Sequence, residues 1–141
     1  TVCGAVLPRG RGWLVSSLLL VDDEAPIADV LARSLRARGH TVRVTHTGMD
    51  ALFALSEEVP DLMLLDISLP DITGWELLRR LAPQDRERVP VVVFSASPLA
   101  PSRLEQFKPA GVLQKPFPIE ALLRLVNDLA GPAAEKEERS G

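Results

Sequence analysis

LLLVDDE (Leu18–Glu24) and LMLLDISLPD (Leu62–Asp71) are the two stretches on which the fold turns. Each is an aliphatic run that ends abruptly in bare carboxylates. Aliphatic runs are driven into the core, whereas unpaired carboxylates resist burial. Both demands are met when each run is a buried strand and its acids stand at the strand's carboxyl end.

The rest of the chain alternates in kind. Leu14–Val21 reads as the first strand. Pro26 then falls in the first turn of a helix, where proline is tolerated. That helix places Ile27, Val30, Leu31, Ser34 and Leu35 on one face. Gly39 ends it, with Arg36 and Arg38 in the last turn, where cations suit the dipole. Thr41–Thr45 is a β-branched strand, and Asp50–Glu58 is a second helix with Ala51, Leu52 and Leu55 in its pattern. Pro60 closes it. Leu62–Asp66 is a continuous apolar strand, as expected when both faces are covered.

GWELLRRL (Gly74–Leu81) reads as a helix and VVVFS (Val91–Ser95) as a buried strand. SASPLAPSRLEQFKPAG then leaves room for only a short helix, because Pro98, Pro101 and Pro109 each oppose a helix interior. Val112–Gln114 is a brief strand, and Ile119, Leu122, Leu123 and Val126 share a face on a last helix ending near Ala130. Five strand–helix units in alternation, joined by right-handed crossovers, give an α/β fold: a doubly wound five-stranded parallel sheet with five helices.

Composition permits this. The 141 residues suit one core, and with 46% apolar and 25% charged residues the chain is of ordinary globular type. With no Tyr, four Phe and two Trp, that core is mostly aliphatic. The net charge of −3 gives no reason to expect a duplex partner, since its backbone repels an acidic surface. The single Cys3 forms no internal disulfide. No apolar stretch approaches the roughly 18–20 residues of a membrane span, so a cytoplasmic protein without a membrane contact is expected. Residues 1–13 read as a flexible leader, 14–130 as the domain, and 131–141, with EKEER, as a charged flexible tail.

In open α/β sheets, sites form at the carboxyl ends of strands. Asp22, Asp23 and Asp66 all stand there. Two like charges about 4 Å apart repel by roughly 4 kcal/mol at an effective dielectric near 20, so a cation or shared protons must offset them. A hard divalent ion with oxygen ligands, Mg²⁺, fits best. Ser95, ending VVVFS, adds a hydroxyl, and Lys115, following VLQ, adds an ammonium. Metal, hydroxyl and ammonium are what a transferring phosphoryl group requires, and a carboxylate among them can be the nucleophile.

With the acidic pair of LLLVDDE, DLMLLDISLPDITGWELLRRL, VVVFSA and KPF in this order and spacing, the chain resembles the receiver domains of bacterial two-component response regulators over Leu14–Ala130. The resemblance implies a flavodoxin-like (CheY-like) sheet of order 2-1-3-4-5. It implies that Asp66 is the phosphoacceptor, that Asp23 ligates Mg²⁺ directly and Asp22 largely through water, and that Asp66 and the Ser68 backbone carbonyl complete the metal set. Ser95 and Lys115 would then hold the transferred group, and the Lys115–Pro116 bond would be cis. The implied partner is a sensor histidine kinase or a histidine phosphotransfer protein, with a homodimer as an open alternative. The output surface would be the short proline-bounded helix, the last strand and the last helix. Such a domain is an autocatalytic phosphoacceptor that dephosphorylates itself rather than a turnover enzyme.

Three features depart from the family pattern. Val112 stands where a ring is usual, and valine is too short and too stiff at χ1 to swing inward. The segment between Ser95 and Lys115 is shorter than usual and rich in proline. No effector module is expected after Ala130, so nucleic-acid contact through this domain is not expected either. Asp71 reads as a turn residue, His40 and His46 as surface positions, and Trp75 as packing. A phosphorylation-independent interaction or dimerisation module is the alternative function. A phosphohydrolase is disfavoured, because that family's second Asp is replaced by Ser68.

Overall fold

The computed structural model describes residues 16–129. Both expected terminal extensions, with Leu14, Val15 and Ala130, lie outside the described residues. In chain order the elements are β1 (Ser17–Val21), α1 (Ala25–Ala37), β2 (Thr41–Thr45), α2 (Gly48–Glu57), β3 (Leu62–Asp66) and α3 (Gly74–Arg80). They continue with α4 (Pro83–Arg88), β4 (Val91–Ser95), α5 (Pro101–Phe107), β5 (Gly111–Gln114) and α6 (Ile119–Leu129). The strands form one sheet in the order β2-β1-β3-β4-β5, all neighbours parallel.

Each face of the sheet has its own apolar layer. Leu19, Val21, Met63, Leu65, Val91 and Val93 meet α2 and α3 through Ala51, Ala54, Leu55, Leu77 and Leu78. Leu18, Leu20, Leu62, Leu64, Val92 and Phe94 meet α1 and α6 through Ala28, Leu31, Leu35, Leu122 and Val126. Alternate residues of one strand thus serve opposite layers, which is why the sequence runs are continuous rather than alternating. Each buried Leu contributes about 1.5–3 kcal/mol through burial.

Several boundaries differ from the sequence-based expectation. The described chain has six helices, not five: α4 occupies a stretch to which the sequence reading assigns no element. It buries no residue, so it leaves no apolar period to detect. Its marks are polar: Pro83 in the first turn, Asp85 near the N-terminus, Arg86 and Arg88 at the end. α1 turns a different face inward. Ala28, Leu31, Ala32 and Leu35 are buried, while Ile27 and Val30 are 42% and 51% exposed. Two alanines let the helix lie close to the sheet, and that closeness fixes its rotation. α2 begins at Gly48 rather than Asp50, because the Thr47 side chain accepts from the Asp50 amide.

Pro101 starts α5 instead of interrupting it, and Lys108 ends it at φ 48°. α5 has seven residues and none is buried. It is held by Phe107, which stacks on Trp75 with ring centroids 5.0 Å apart. Trp75 is therefore packing, as expected. The Lys115–Pro116 bond is cis. Among the described residues no helix is long and apolar enough to cross a membrane.

Candidate functional site

Strand register alone brings the expected residues to one edge. Val21 of β1 pairs with Leu65 of β3, so Asp22 and Asp66, each one residue further on, emerge level and adjacent. Asp66 pairs with Phe94, which puts Ser95 at the same rim. Ser95 pairs with Gln114, and the Lys115 amide donates to the Ser95 carbonyl at 2.8 Å. Four separate strand ends thus deliver Asp22, Asp66, Ser95 and Lys115 together.

One carboxylate oxygen from each of Asp22, Asp23 and Asp66 lies within 4.8 Å of the others. Asp22 is fully buried and Asp66 is 4% exposed, whereas Asp23 faces solvent. The Asp22 side chain does not cap α1: its Oδ1 accepts the Glu24 amide at 3.0 Å, and Glu24 occupies the N-cap position without a side-chain bond. Asp66 Oδ1 accepts the Ser68 amide at 2.9 Å, which orients the carboxylate towards the rim. Gly74 lets α3 start close behind it, since a Cβ there would lie 2.9 Å from the Asp66 carbonyl oxygen.

Lys115 Nζ sits 2.8 Å from Asp66 Oδ2, 3.2 Å from Glu24 Oε1 and 3.5 Å from Asp22 Oδ2. The ammonium is the counter-charge of the whole cluster. Burial works to lower the Lys115 pKa, but the hydrogen bond to Asp66 and the Asp22 and Asp66 charges outweigh it and hold it well above the ordinary lysine value. Burial pushes the Asp22 carboxyl up, helped by the Asp66 charge, against the Glu24 amide and Lys115, which favour the anion.

Ser95 is 8% exposed and turned towards its own loop. Its hydroxyl donates to the Ser97 carbonyl, and the Ser97 amide donates back to Ser95 Oγ at 3.2 Å. Val112 is 43% exposed on the edge strand.

Three participants were missed or misread from the sequence. Glu24 joins the Lys115 cluster; the third consecutive acid of LLLVDDE is its signal. His46, exposed as expected, nevertheless bonds through Nδ1 to the Asp22 carbonyl oxygen at 2.8 Å. Asp71 is not merely a turn residue: its carboxylate accepts the Gly48 and Met49 amides at the start of α2. His40 is half-buried, not a surface position, and its Nδ1 has no hydrogen-bond partner among the described residues.

The donor set fits a hard divalent cation: three carboxylates, all oxygen, two of them held by local amides and one, Asp22, pushed towards neutrality by burial and by the neighbouring Asp66 charge. A cluster that needs positive charge, beside a buried hydroxyl and a fixed ammonium, can accept and hold a phosphoryl group.

A family model of the response regulator receiver domain matches residues 18–127. The transcriptional regulatory protein YkoG of Bacillus subtilis is 34% identical over 126 residues, covering 88% of this chain and 55% of that protein. Response regulator MprA of Mycobacterium ulcerans is 34% identical over 109 residues, 75% of this chain and 46% of that protein. The chain spans about half the length of these curated relatives. Among solved structures, the receiver domain of Francisella response regulator 1452 matches at TM-score 0.73 and 28% identity, covering 83% of this chain and 96% of that one. TrrA of Thermotoga maritima, solved in complex with Mg(2+)-BeF, matches at TM-score 0.70 and 26% identity over 79% of this chain and 96% of that one.

Proposed function

Since this chain belongs to the response regulator receiver family, whose members are signalling domains rather than turnover enzymes, we propose that it is a Mg²⁺-dependent phosphoacceptor switch. In this reading Asp66 takes a phosphoryl group from a phosphohistidine of a partner histidine kinase or phosphotransfer protein, in a cytoplasmic setting. One observation carries it: Lys115 Nζ lies 2.8 Å from Asp66 Oδ2 within a carboxylate cluster whose oxygens lie within 4.8 Å of one another.

An Asp66 carboxylate oxygen attacks phosphorus in line, the P–N bond to the donor imidazole breaks, and its electron pair leaves with that ring. When bound, Mg²⁺ supplies Lewis-acid stabilisation of charge on the phosphoryl oxygens. Asp22, Asp23, Asp66 and the Ser68 carbonyl would hold it; oxygens of the three carboxylates already lie within 4.8 Å of one another, and TrrA, a similar structure, was solved in complex with Mg(2+)-BeF. Lys115, already paired with Asp66, turns its ammonium to pair with the new phosphoryl oxygens.

To reach those oxygens the Ser95 hydroxyl gives up the Ser97 carbonyl, its present acceptor. That release frees the loop before α5, and α5, β5 and α6 form the surface whose two states the phosphoryl group biases. YkoG is named as a transcriptional regulatory protein and this chain covers 55% of it, so any nucleic-acid contact in a longer protein of that kind would lie in the remainder.

The exposed Val112 on β5 favours a second reading, an interaction module that works without phosphorylation, because no ring stands there to report on Ser95. One experiment separates the two. Incubated with Mg²⁺ and a small-molecule phosphodonor, the protein should gain one phosphoryl mass adduct that is lost in Asp66→Asn and in Mg²⁺-free buffer. No adduct on the parent leaves the interaction module. Sustained hydrolysis of unrelated phosphate esters would instead return the phosphohydrolase.

A further inference from the structure

The Asp71 carboxylate binds backbone more than twenty residues away in sequence. Oδ1 accepts the Gly48 amide at 2.8 Å and the Ile72 amide at 2.9 Å; Oδ2 accepts the Met49 amide at 2.8 Å. Gly48 and Met49 open α2, where amides have no intrahelical acceptor. Thr47 satisfies the next one, Asp50. The loop that leaves Asp66 is therefore fastened to α2 by two hydrogen bonds donated by backbone amides.

The approach is close enough that a side chain at position 48 would force the Ile72 side chain to shift. A Cβ on Gly48 would overlap the Ile72 Cγ1 and lie 2.8 Å from its Cδ1. The same short segment is tied at its other end to the acidic pair. A carbonyl oxygen only accepts, so His46 Nδ1 carries the proton and donates to the Asp22 carbonyl at 2.8 Å. The Asp22 amide donates to the Thr45 carbonyl at 3.1 Å, just before His46.

We infer that residues 46–49 form a strut between the β1 and β3 strand ends, and that Asp71 and His46 are positioning residues which set the spacing of the acidic cluster for a divalent cation. The inference rests on the functional reading above. Mg²⁺ demands near-ideal octahedral geometry, so its affinity falls when ligand spacing relaxes. Groups that orient ligands without touching the metal shift affinity by about 10–100-fold. Phosphoryl transfer at saturating Mg²⁺ uses the same Asp66 and Lys115 and is far less sensitive.

The test is Mg²⁺ calorimetry on the full chain, with Mg²⁺-dependent phosphoryl uptake as the second readout. Asp71→Ala is expected to weaken Mg²⁺ binding about tenfold while the uptake rate at saturating Mg²⁺ stays within about twofold. Asp71→Asn, which keeps one acceptor oxygen, should fall between, and His46→Ala should move the same way. Leu55→Ala, in the buried part of α2, destabilises that helix without touching the strut and should leave the affinity unchanged. Undiminished affinity in Asp71→Ala, or an equal loss in Leu55→Ala, overturns the inference. A parent that binds Mg²⁺ but takes up no phosphoryl group overturns the functional reading alone. A parent that binds no Mg²⁺ overturns both.

Discussion

The two halves of the sheet are packed differently. Every residue of β3 and β4 is buried, whereas β5 alternates half-buried with exposed positions. α1 buries four residues and α5 none. A surface cavity of about 340 Å³, lined by Leu78, Arg86, Phe107 and Pro109 among others, opens beside α4 and α5. Asp22, Asp66 and Ser95 grow from the dense half; Lys115 and the surface proposed for output grow from the loose one. Dense packing holds ligands still, and segments with few buried contacts open at low free energy. The chemistry and the response are thus built on materials of different stiffness.

Leu64→Ala against Leu104→Ala tests that contrast most strongly. Leu64 is fully buried in β3, so its truncation should cost about 3 kcal/mol in urea unfolding. Leu104, half-buried on α5, should cost under about 1 kcal/mol. Equal costs would mean that the halves are packed alike and would break the comparison.

Phe107→Ala comes next. The ring carries the stack on Trp75 and lies under the Arg86 and Arg79 guanidinium groups, at 5.4 and 5.8 Å from its centroid. Its loss should cost about 1.5 kcal/mol. The sharper outcome is local. Amide exchange in residues 101–107 should accelerate, while residues 62–66 still exchange only through global unfolding. Uniform acceleration across both segments would show that α5 is not an independent unit.

The same contrast governs what could be seen in the sequence. β3 and β4 were legible because burial on both faces leaves an unbroken aliphatic run, and their acids and hydroxyl follow at the strand ends. Once the strands are parallel and in order, register alone gathers Asp22, Asp66, Ser95 and Lys115. α4 escaped because a helix that buries nothing has no apolar period. α1 was turned wrongly because Ile27 and Val30 outweigh Ala28 and Ala32 in hydrophobicity, while close packing prefers the small residues. Asp71 and His46 escaped for another reason. Their partners are backbone groups, so no residue type at the far end announces the bond.

The smallest effect lies at the turn between α1 and β2. Burial, and secondarily the Arg38 charge, hold the His40 pKa below its ordinary value of 6.5. Between that value and the lower folded one, the unfolded chain binds a proton that the folded chain refuses. Stability from this residue is therefore complete above about pH 6.5 and is lost as pH falls through the window beneath it. Asp22 acts in the opposite sense, because its raised pKa lets the folded chain hold a proton that the unfolded chain releases as pH rises above 3.8. The two contributions have opposite signs, so the His40 part is read as a difference. The measurement is the difference between the parent and His40→Gln in urea unfolding from pH 5 to 8. The variant should lose less stability than the parent on acidification below 6.5, and parallel curves would place His40 in water in the folded chain.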